Sequence, residues 1–228
     1  MINPTISCIM SVHNKTPHLE NSIQSVLDQT YTDFDFLIID DGSSENILEI
    51  LKKFRKIDNR IKIFKNSENI GLTKSLNRLI NESTGRYIAR QDADDISDKK
   101  RFETQINFLT KNNYDGCTTL ARGLQSNKIL RLKSSLLPVK TLLKFKNPFI
   151  HGTLMINRKV IQDIGLYNEY FYFAQDYKLF TDLVTKGCRI KIIKKVLYRS
   201  NQENNISNNH KKEQQAYAKE VQKSYKIL

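Results

Sequence analysis

Short apolar runs alternate with amphipathic segments through the first half of the chain. "ISCIMSV" (6–12) is a compact, β-branched run that predicts a buried strand ending at His13-Asn14. "HLENSIQSVLDQ" follows, with Leu19, Ile23, Val26 and Leu27 spaced to form one apolar helical face. "FDFLIID" (34–40) predicts a second buried strand, stopped by Asp41-Gly42-Ser43. Ser44 is expected to cap the next helix, lined by Ile47, Leu48, Leu51 and Phe54. "IKIFK" (61–65) reads as a third strand, "LTKSLNRLINESTG" as a helix closed by Gly85, and "RYIAR" (86–90) as a fourth strand. This alternation predicts an α/β fold with a mostly parallel central sheet flanked by helices. In such sheets ligands sit outside the carboxyl ends of the strands. Ser11–Asn14, Asp40–Ser44 and Gln91–Asp95 all lie at such ends and should converge.

The second half is less regular. "KKRFETQINFLTKNN" sets Phe102, Ile106 and Leu109 on a helical face, and "YDGCTTLARGLQSNKILRL" suits a strand pair. "NPFIHGTLMINRKVIQDIGLYNEYF" mixes a short strand, a helix and a loop rich in Tyr and Phe. "QDYKLFTDLVTKG" predicts a short amphipathic helix ended by Gly187, and "RIKIIKKVLYR" another strand. From Asn204 onward the chain is polar and basic, which fits a loosely docked helix or a disordered tail. No internal repeat is present.

Composition narrows the class without naming an activity. Thirty-seven Lys and Arg against 24 Asp and Glu give a net charge of +13, which favours polyanionic company. The basic residues are dispersed, with neither a recognition-helix nor a zinc pattern, so nucleic acid is not an expected partner. The three cysteines, Cys8, Cys117 and Cys188, are far apart and read as free thiols of a reducing compartment. "MINPTISCIMSVHN" lacks a secretory signal, and no apolar run is long enough to span a bilayer. The expectation is a cytoplasmic protein, with peripheral contact to the anionic inner membrane face as the alternative placement. "NHKKEQQAYAKEVQKSYKIL" is the candidate contact.

Against this basic background, "ARQDADDISDKKRF" (89–102) crowds Asp92, Asp94 and Asp95 into four positions. Three like charges at that spacing repel unless a cation or water relieves them. A solvated loop in which Asp95 or Asp98 caps the following helix is one reading. A calcium loop fails, because Ile96 and Ser97 stand where a ligand oxygen and a glycine are required. The third reading is a magnesium or manganese site using one or two carboxylates and completed by substrate phosphate. Ala93 would let such a ligand approach closely.

The neighbouring motifs carry a resemblance. "ISCIMSVHN", "LENSIQSVLDQTYTDFDFLIIDDGSS", "NIGLTKSLNRLINESTGRYIARQDADD" and "NPFIHGTLMINRKVIQDIGLYNEYFYFAQDYKLFTDLVTKG" together resemble the family 2 glycosyltransferases, across roughly residues 4–200. That resemblance implies a single GT-A, Rossmann-like domain over 1–203. Residues 1–98 would bind the nucleotide sugar and 99–203 the acceptor, with a basic C-terminal helix or tail at 204–228. It implies an inverting transfer from a UDP-sugar to a hydroxyl of a glycan or lipid-linked acceptor in capsule or lipopolysaccharide synthesis.

By the same resemblance Ser11, His13, Asn14, Asp40 and Asp41 line the nucleotide, with Asp41 accepting from the base. Asp92 and Asp94 hold Mn2+ or Mg2+ and the ribose, Asp94 making the direct metal contact. Lys74 and Arg90 are assigned to phosphate, with a solvated surface face as the competing reading. Asp176 takes the place of the catalytic base, in the first turn of "DYKLFTDLV", where a carboxylate also suits the helix N-terminus. His151 and Gln175 fall on the acceptor side, and Gln175 replaces an acid common in relatives. Asp98 stands where relatives often have proline, and the stretch before "NPFIHGT" is short, which implies an open acceptor side. A homo-oligomer is compatible with all of this.

Two further enzyme classes compete. A nucleotidyltransferase that makes nucleotide sugars would share the sheet and the carboxylates, but "SVHNKTPHLENS" contains no glycine for a phosphate loop. A glycosidase needs two carboxylates flanking one bond and would leave the metal motif unexplained.

Overall fold

The computed structural model describes residues 3–14, 17–44, 46–203 and 210–226. The first half runs β1 (Ile6–Val12), α1 (Leu19–Leu27), β2 (Phe34–Asp41), α2 (Ile47–Ile57), β3 (Ile61–Asn66), α3 (Leu72–Glu82) and β4 (Tyr87–Arg90). The second half adds β5 (Ile96–Ser97), α4 (Arg101–Lys111), β6 (Gly116–Gly123), β7 (Ile129–Leu130), α5 (Val139–Leu143), β8 (Met155–Asn157), α6 (Arg158–Asp163), α7 (Gln175–Thr185), β9 (Ile190–Ser200) and α8 (Lys211–Lys226). Single 3-10 turns occupy Ser134–Leu136 and His151–Thr153.

One sheet holds the domain, in the order β3-β2-β1-β4-β8-β6-β9-β5, with β7 paired to β6. The long pairings are parallel: β1 with β2 and β4, β2 with β3, and β6 with β9. The antiparallel pairings span only two or three residues each. β2 is buried along its whole length, as expected of a strand covered by helices on both faces. Ile9, Leu37, Ile39 and Ile88 pack on one face with Leu76 and Leu79 of α3 and Leu179, Phe180 and Leu183 of α7. Cys8, Met10, Phe36 and Ile38 pack on the other, against α1, α2 and Phe102 and Ile106 of α4. Burying each such side chain contributes about 1.5–3 kcal/mol.

Several local expectations are corrected by longer-range contacts. Ser44 does not cap α2, because its backbone N–H and its hydroxyl both donate to Asn14 Oδ1, at 3.1 and 3.0 Å. Gly85 does not close α3, which ends at Glu82 with Ser83 following it. Its role is close approach: a Cβ there would lie 2.5 Å from the Ser7 backbone nitrogen of β1. Neither Asp95 nor Asp98 precedes α4 directly. Lys100 holds that place, and Asp98 accepts from the Lys100 N–H at 2.9 Å.

Residues 204–209 and 227–228 of the expected tail lie outside the described residues. α8 docks on the domain, with Val221 fully buried and Tyr217, Ala218 and Tyr225 packed against the α7 side of the core. Gln214 Oε1 accepts from Ala174 N at 3.2 Å, and Gln222 Nε2 donates to Phe145 O at 2.6 Å. Among the described residues no helix is long and apolar enough to cross a membrane.

All three thiols are free. Cys8 and Cys117 are fully buried, and burial pushes both up to about 12. Cys188 is half-buried beside Gly187. A disulfide reagent at mildly alkaline pH should therefore modify one thiol rapidly in the native protein and all three in denaturant. Fast native modification of two would contradict the packing of β1 and β6.

Candidate active site

The carboxyl ends of β1, β2 and β4 meet where the sequence places its polar motifs. β1 and β2 run in register, with Val12 opposite Asp40, and both leave the sheet into turns that bond to each other. Asn14 adopts a left-handed conformation (φ 61°), and its N–H donates to Ser43 Oγ at 2.9 Å. His13 Nδ1 lies 2.9 Å from the Asp41 carbonyl oxygen. Asp40 is buried, and its Oδ1 accepts from Ser43 N at 3.0 Å, fixing the turn. Ser11 is half-buried at the same sheet end.

Asp41 serves the fold directly. Its Oδ1 accepts from Asn66 Nδ2 at 2.8 Å and Ile70 N at 3.0 Å, and its Oδ2 from Gly71 N at 3.0 Å. A carboxylate offers about four acceptor positions, so three of them hold the loop entering α3. Gly71 (φ 88°) is needed at that point, because a Cβ would meet the Tyr172 ring at 2.7 Å. Lys74 is exposed in the first turn of α3.

The acidic turn after β4 rests on buried cations. Arg90 has a side chain only 1% exposed, and its Nη2 lies 2.6 Å from Asp92 Oδ1. The surface reading of Arg90 is therefore replaced by a buried ion pair. Beneath it Arg101 of α4, also fully buried, donates to Arg90 O at 3.0 Å, Gly152 O at 3.1 Å and Gln91 Oε1 at 3.2 Å. Tyr198 of β9 accepts from the Asp92 N–H through its hydroxyl at 3.1 Å. Asn201 reaches the other two acids: its Nδ2 donates to Asp94 Oδ2 at 3.0 Å and its N–H to Asp95 Oδ1 at 2.7 Å.

Burial and the neighbouring Asp92 raise the Asp94 carboxyl above its usual range. Asp95 is raised further, by deeper burial and by both Asp92 and Asp94. Crowded oxygens of this kind suit a hard divalent cation. Among the described residues no three His, Cys, Asp or Glu are grouped to hold a metal by themselves. One or two carboxylates is the number that magnesium and manganese take when phosphate and water complete the shell.

Asp176 stands in the first turn of α7, reached through Ala174 in a left-handed conformation (φ 53°). Its Oδ2 accepts from Asn147 Nδ2 at 2.7 Å and its Oδ1 from Tyr177 N at 2.8 Å, so each oxygen keeps a free lone pair. Gln175 lies beside it at the start of the helix. His151 Nε2 is 2.6 Å from the Tyr167 hydroxyl. Burial, then Arg90, pushes His151 down to about 4, while Asp176 and Asp92 pull it back up. Tyr167 is raised by burial and feels the same three charges. The charges of Asp92 and Asp176 therefore act on one His–Tyr pair, its tyrosine buried and its histidine half-buried. The Tyr172 ring over Gly71 ties the Asp41 loop to the segment leading into Asp176.

Arg101, Tyr198, Asn201 and Asn147 escaped the sequence reading. Asn147 stands in "NPFIHGT" and Arg101 in "ARQDADDISDKKRF", both motifs already singled out, and these two offered a local signal.

The model of the Glycosyl transferase family 2 matches residues 7–171. The O-antigen biosynthesis glycosyltransferase WbnJ of Escherichia coli is 36% identical over 162 residues, covering 68% of this chain and 63% of that protein. The chain also spans only 62% and 60% of the length of two other curated relatives, from Haemophilus influenzae and Bacillus subtilis. The mannosyltransferase PcManGT of Pyrobaculum calidifontis, solved with GDP-Man and Mn2+, superposes with a TM-score of 0.80 at 15% identity, covering 99% of this chain and 65% of that one. S. aureus TarS, solved with UDP, superposes with a TM-score of 0.71 at 18% identity over 86% of this chain and 60% of that one. With the family match extending over most of its length, this chain belongs to glycosyltransferase family 2.

Proposed function

We propose that the protein is a metal-dependent inverting glycosyltransferase that moves a sugar from a UDP-sugar to a hydroxyl of a glycan or lipid-linked glycan acceptor. Asp176 carries this reading: it is a half-buried carboxylate held by Asn147 with a free lone pair on each oxygen, and its charge acts on the same His151 as that of Asp92. A sugar hydroxyl is a weak nucleophile until its proton is taken. As the acceptor oxygen forms its bond to the anomeric carbon, the bond from that carbon to the diphosphate breaks on the opposite face, and the proton passes to Asp176. Asn147 fixes the carboxylate for that transfer.

Asp94 and Asp92 would hold the cation, which supplies charge neutralisation for the departing diphosphate. The β1 and β2 turns, with Ser11, His13, Asn14 and Asp40, would take the nucleoside. Asp41 shapes that pocket through the Asn66–Gly71 loop. The three free thiols fit a cytoplasmic, reducing setting. The O-antigen role named for WbnJ supports a surface-glycan acceptor. PcManGT was solved with GDP-Man, so a GDP-sugar is the second donor to test.

A donor screen by nucleotide release should give turnover with a UDP-sugar in the presence of Mn2+ or Mg2+ and none in chelator. Turnover confined to GDP-mannose would replace the donor, and turnover unaffected by chelator would remove the metal.

Asp176→Asn should lower kcat by about two to four orders of magnitude, with UDP affinity retained by calorimetry. Unchanged turnover would refute the base assignment.

Asp94→Asn relieves the crowding of carboxylates, so the metal-free variant should melt no lower than the wild type. It should also lose the rise in melting temperature that Mn2+ and UDP together give the wild type. A variant that melts several degrees lower without metal would make Asp94 a structural residue.

A further inference from the structure

Between β7 and the His151 turn the chain makes a surface excursion whose composition differs from the rest of the molecule. No Asp or Glu occurs between Asp115 and Asp163. Within that interval Ile129, Leu132, Leu136, Leu137 and Phe145 are 40–65% exposed, the majority of the large apolar side chains found at the surface. Lys128, Arg131, Lys133, Lys140, Lys144 and Lys146 alternate with them and are exposed. None of these six cations takes part in an ion pair among the described residues.

Alternation of exposed apolar groups with unpaired cations is the composition that binds the interface of an anionic bilayer. Apolar side chains enter the headgroup boundary, and each Lys or Arg near the surface adds about 1 kcal/mol. We propose that residues 128–146 dock this protein on an anionic lipid bilayer. The basic C-terminal helix is the less suitable surface, because Tyr217, Ala218, Val221 and Tyr225 of α8 are packed against the domain core.

The excursion is anchored to the site at both ends. Gln125 Nε2 donates to Asn201 Oδ1 at 2.7 Å, and Asn201 holds Asp94. At the other end Asn147 holds Asp176. Leu142 and Leu143 of α5 are buried, and the Tyr177 hydroxyl donates to the Leu143 carbonyl oxygen, so the excursion sits on α7 as a fixed rim. A bilayer bound there lies beside the groups that hold Asp94 and Asp176, where a lipid-linked acceptor would arrive. That consequence rests on the proposed transfer reaction. The docking itself does not.

The experiment is co-sedimentation of the full chain with vesicles, without donor or acceptor. Binding is expected to phosphatidylcholine vesicles containing about one-third phosphatidylglycerol, and should fall in high salt. Lys133→Glu/Lys140→Glu/Lys144→Glu should weaken it by more than about tenfold. Leu136→Ser/Leu137→Ser/Phe145→Ser should weaken it as well, whereas Lys219→Glu/Lys223→Glu on α8 should change it little. All the substituted groups are exposed, and an unchanged circular-dichroism melt checks that each variant folds. Three outcomes would overturn the proposal: no binding to anionic vesicles, loss confined to the α8 variant, or a wild-type dimer that becomes a monomer in the apolar variant. The last would make a second copy of the chain the occupant of this surface.

Discussion

Three carboxylates at the end of β4 can be close together only because two guanidinium groups are buried beneath them. Arg90 pairs with Asp92 at 2.6 Å, and Arg101 lies under the Arg90 carbonyl. Removing two cations from water costs several kcal/mol each unless their donors are met. Most are: Arg101 alone serves three acceptors on β4, the following turn and the His151 turn. The Nε of each arginine has no hydrogen-bond partner, a penalty of about 1–3 kcal/mol apiece. The fold retains that penalty beneath the acidic turn. The ion pair serves Asp92, and the crowded, buried carboxyls of Asp94 and Asp95 are raised above their usual range.

Everything around the turn follows from holding that charge in place. β8 and β9 come from the second half of the chain, yet β8 pairs directly with β4, and β9 delivers Tyr198 and Asn201 to the acids. Gly152 is required by the same packing, since a Cβ there would lie 2.6 Å from Asp92 Oδ2 and 2.4 Å from the Tyr198 hydroxyl. The irregular second half is therefore the inner wall of the acidic turn. Its short antiparallel strands and the register shifts between β6 and β9 bend the sheet around this point.

The sequence disclosed elements whose signal is local and periodic. β1, β2 and β4 were legible because doubly covered parallel strands are continuous apolar runs, β3 as an edge strand whose apolar positions are broken by the exposed Lys62 and Lys65, and α1 and α4 because their buried residues recur at helical spacing. Boundaries were misread where a distant partner competes. Ser44 carries the chemistry of a cap, but Asn14, thirty residues earlier, takes both of its donors. Gly85 has the look of a helix stop, but its lack of a side chain answers to β1. The acids of the candidate site were legible for their crowding. Their supports were not: Tyr198 and Asn201 lie 106 residues or more from the groups they hold, and nothing near them in sequence sets them apart from surface polar residues.

Asn147 shows how the rim and the chemistry are joined. Its Nδ2 donates to Asp176 Oδ2, while its Oδ1 accepts from Phe149 N at 3.0 Å. The same side chain therefore orients the carboxylate and fixes the turn at the end of the basic excursion. Phe149 is buried and stacks on Phe180 of α7 with ring centroids 4.2 Å apart, so the turn and the helix bearing Asp176 share one packed unit. Displacing the excursion would have to break the Asn147–Asp176 bond or move α7 against the sheet. The proposed docking surface and the proposed catalytic carboxylate are consequently held in fixed relation. The Asn147 amide and the Phe149–Phe180 stack add to the Tyr177–Leu143 bond that seats the excursion on α7.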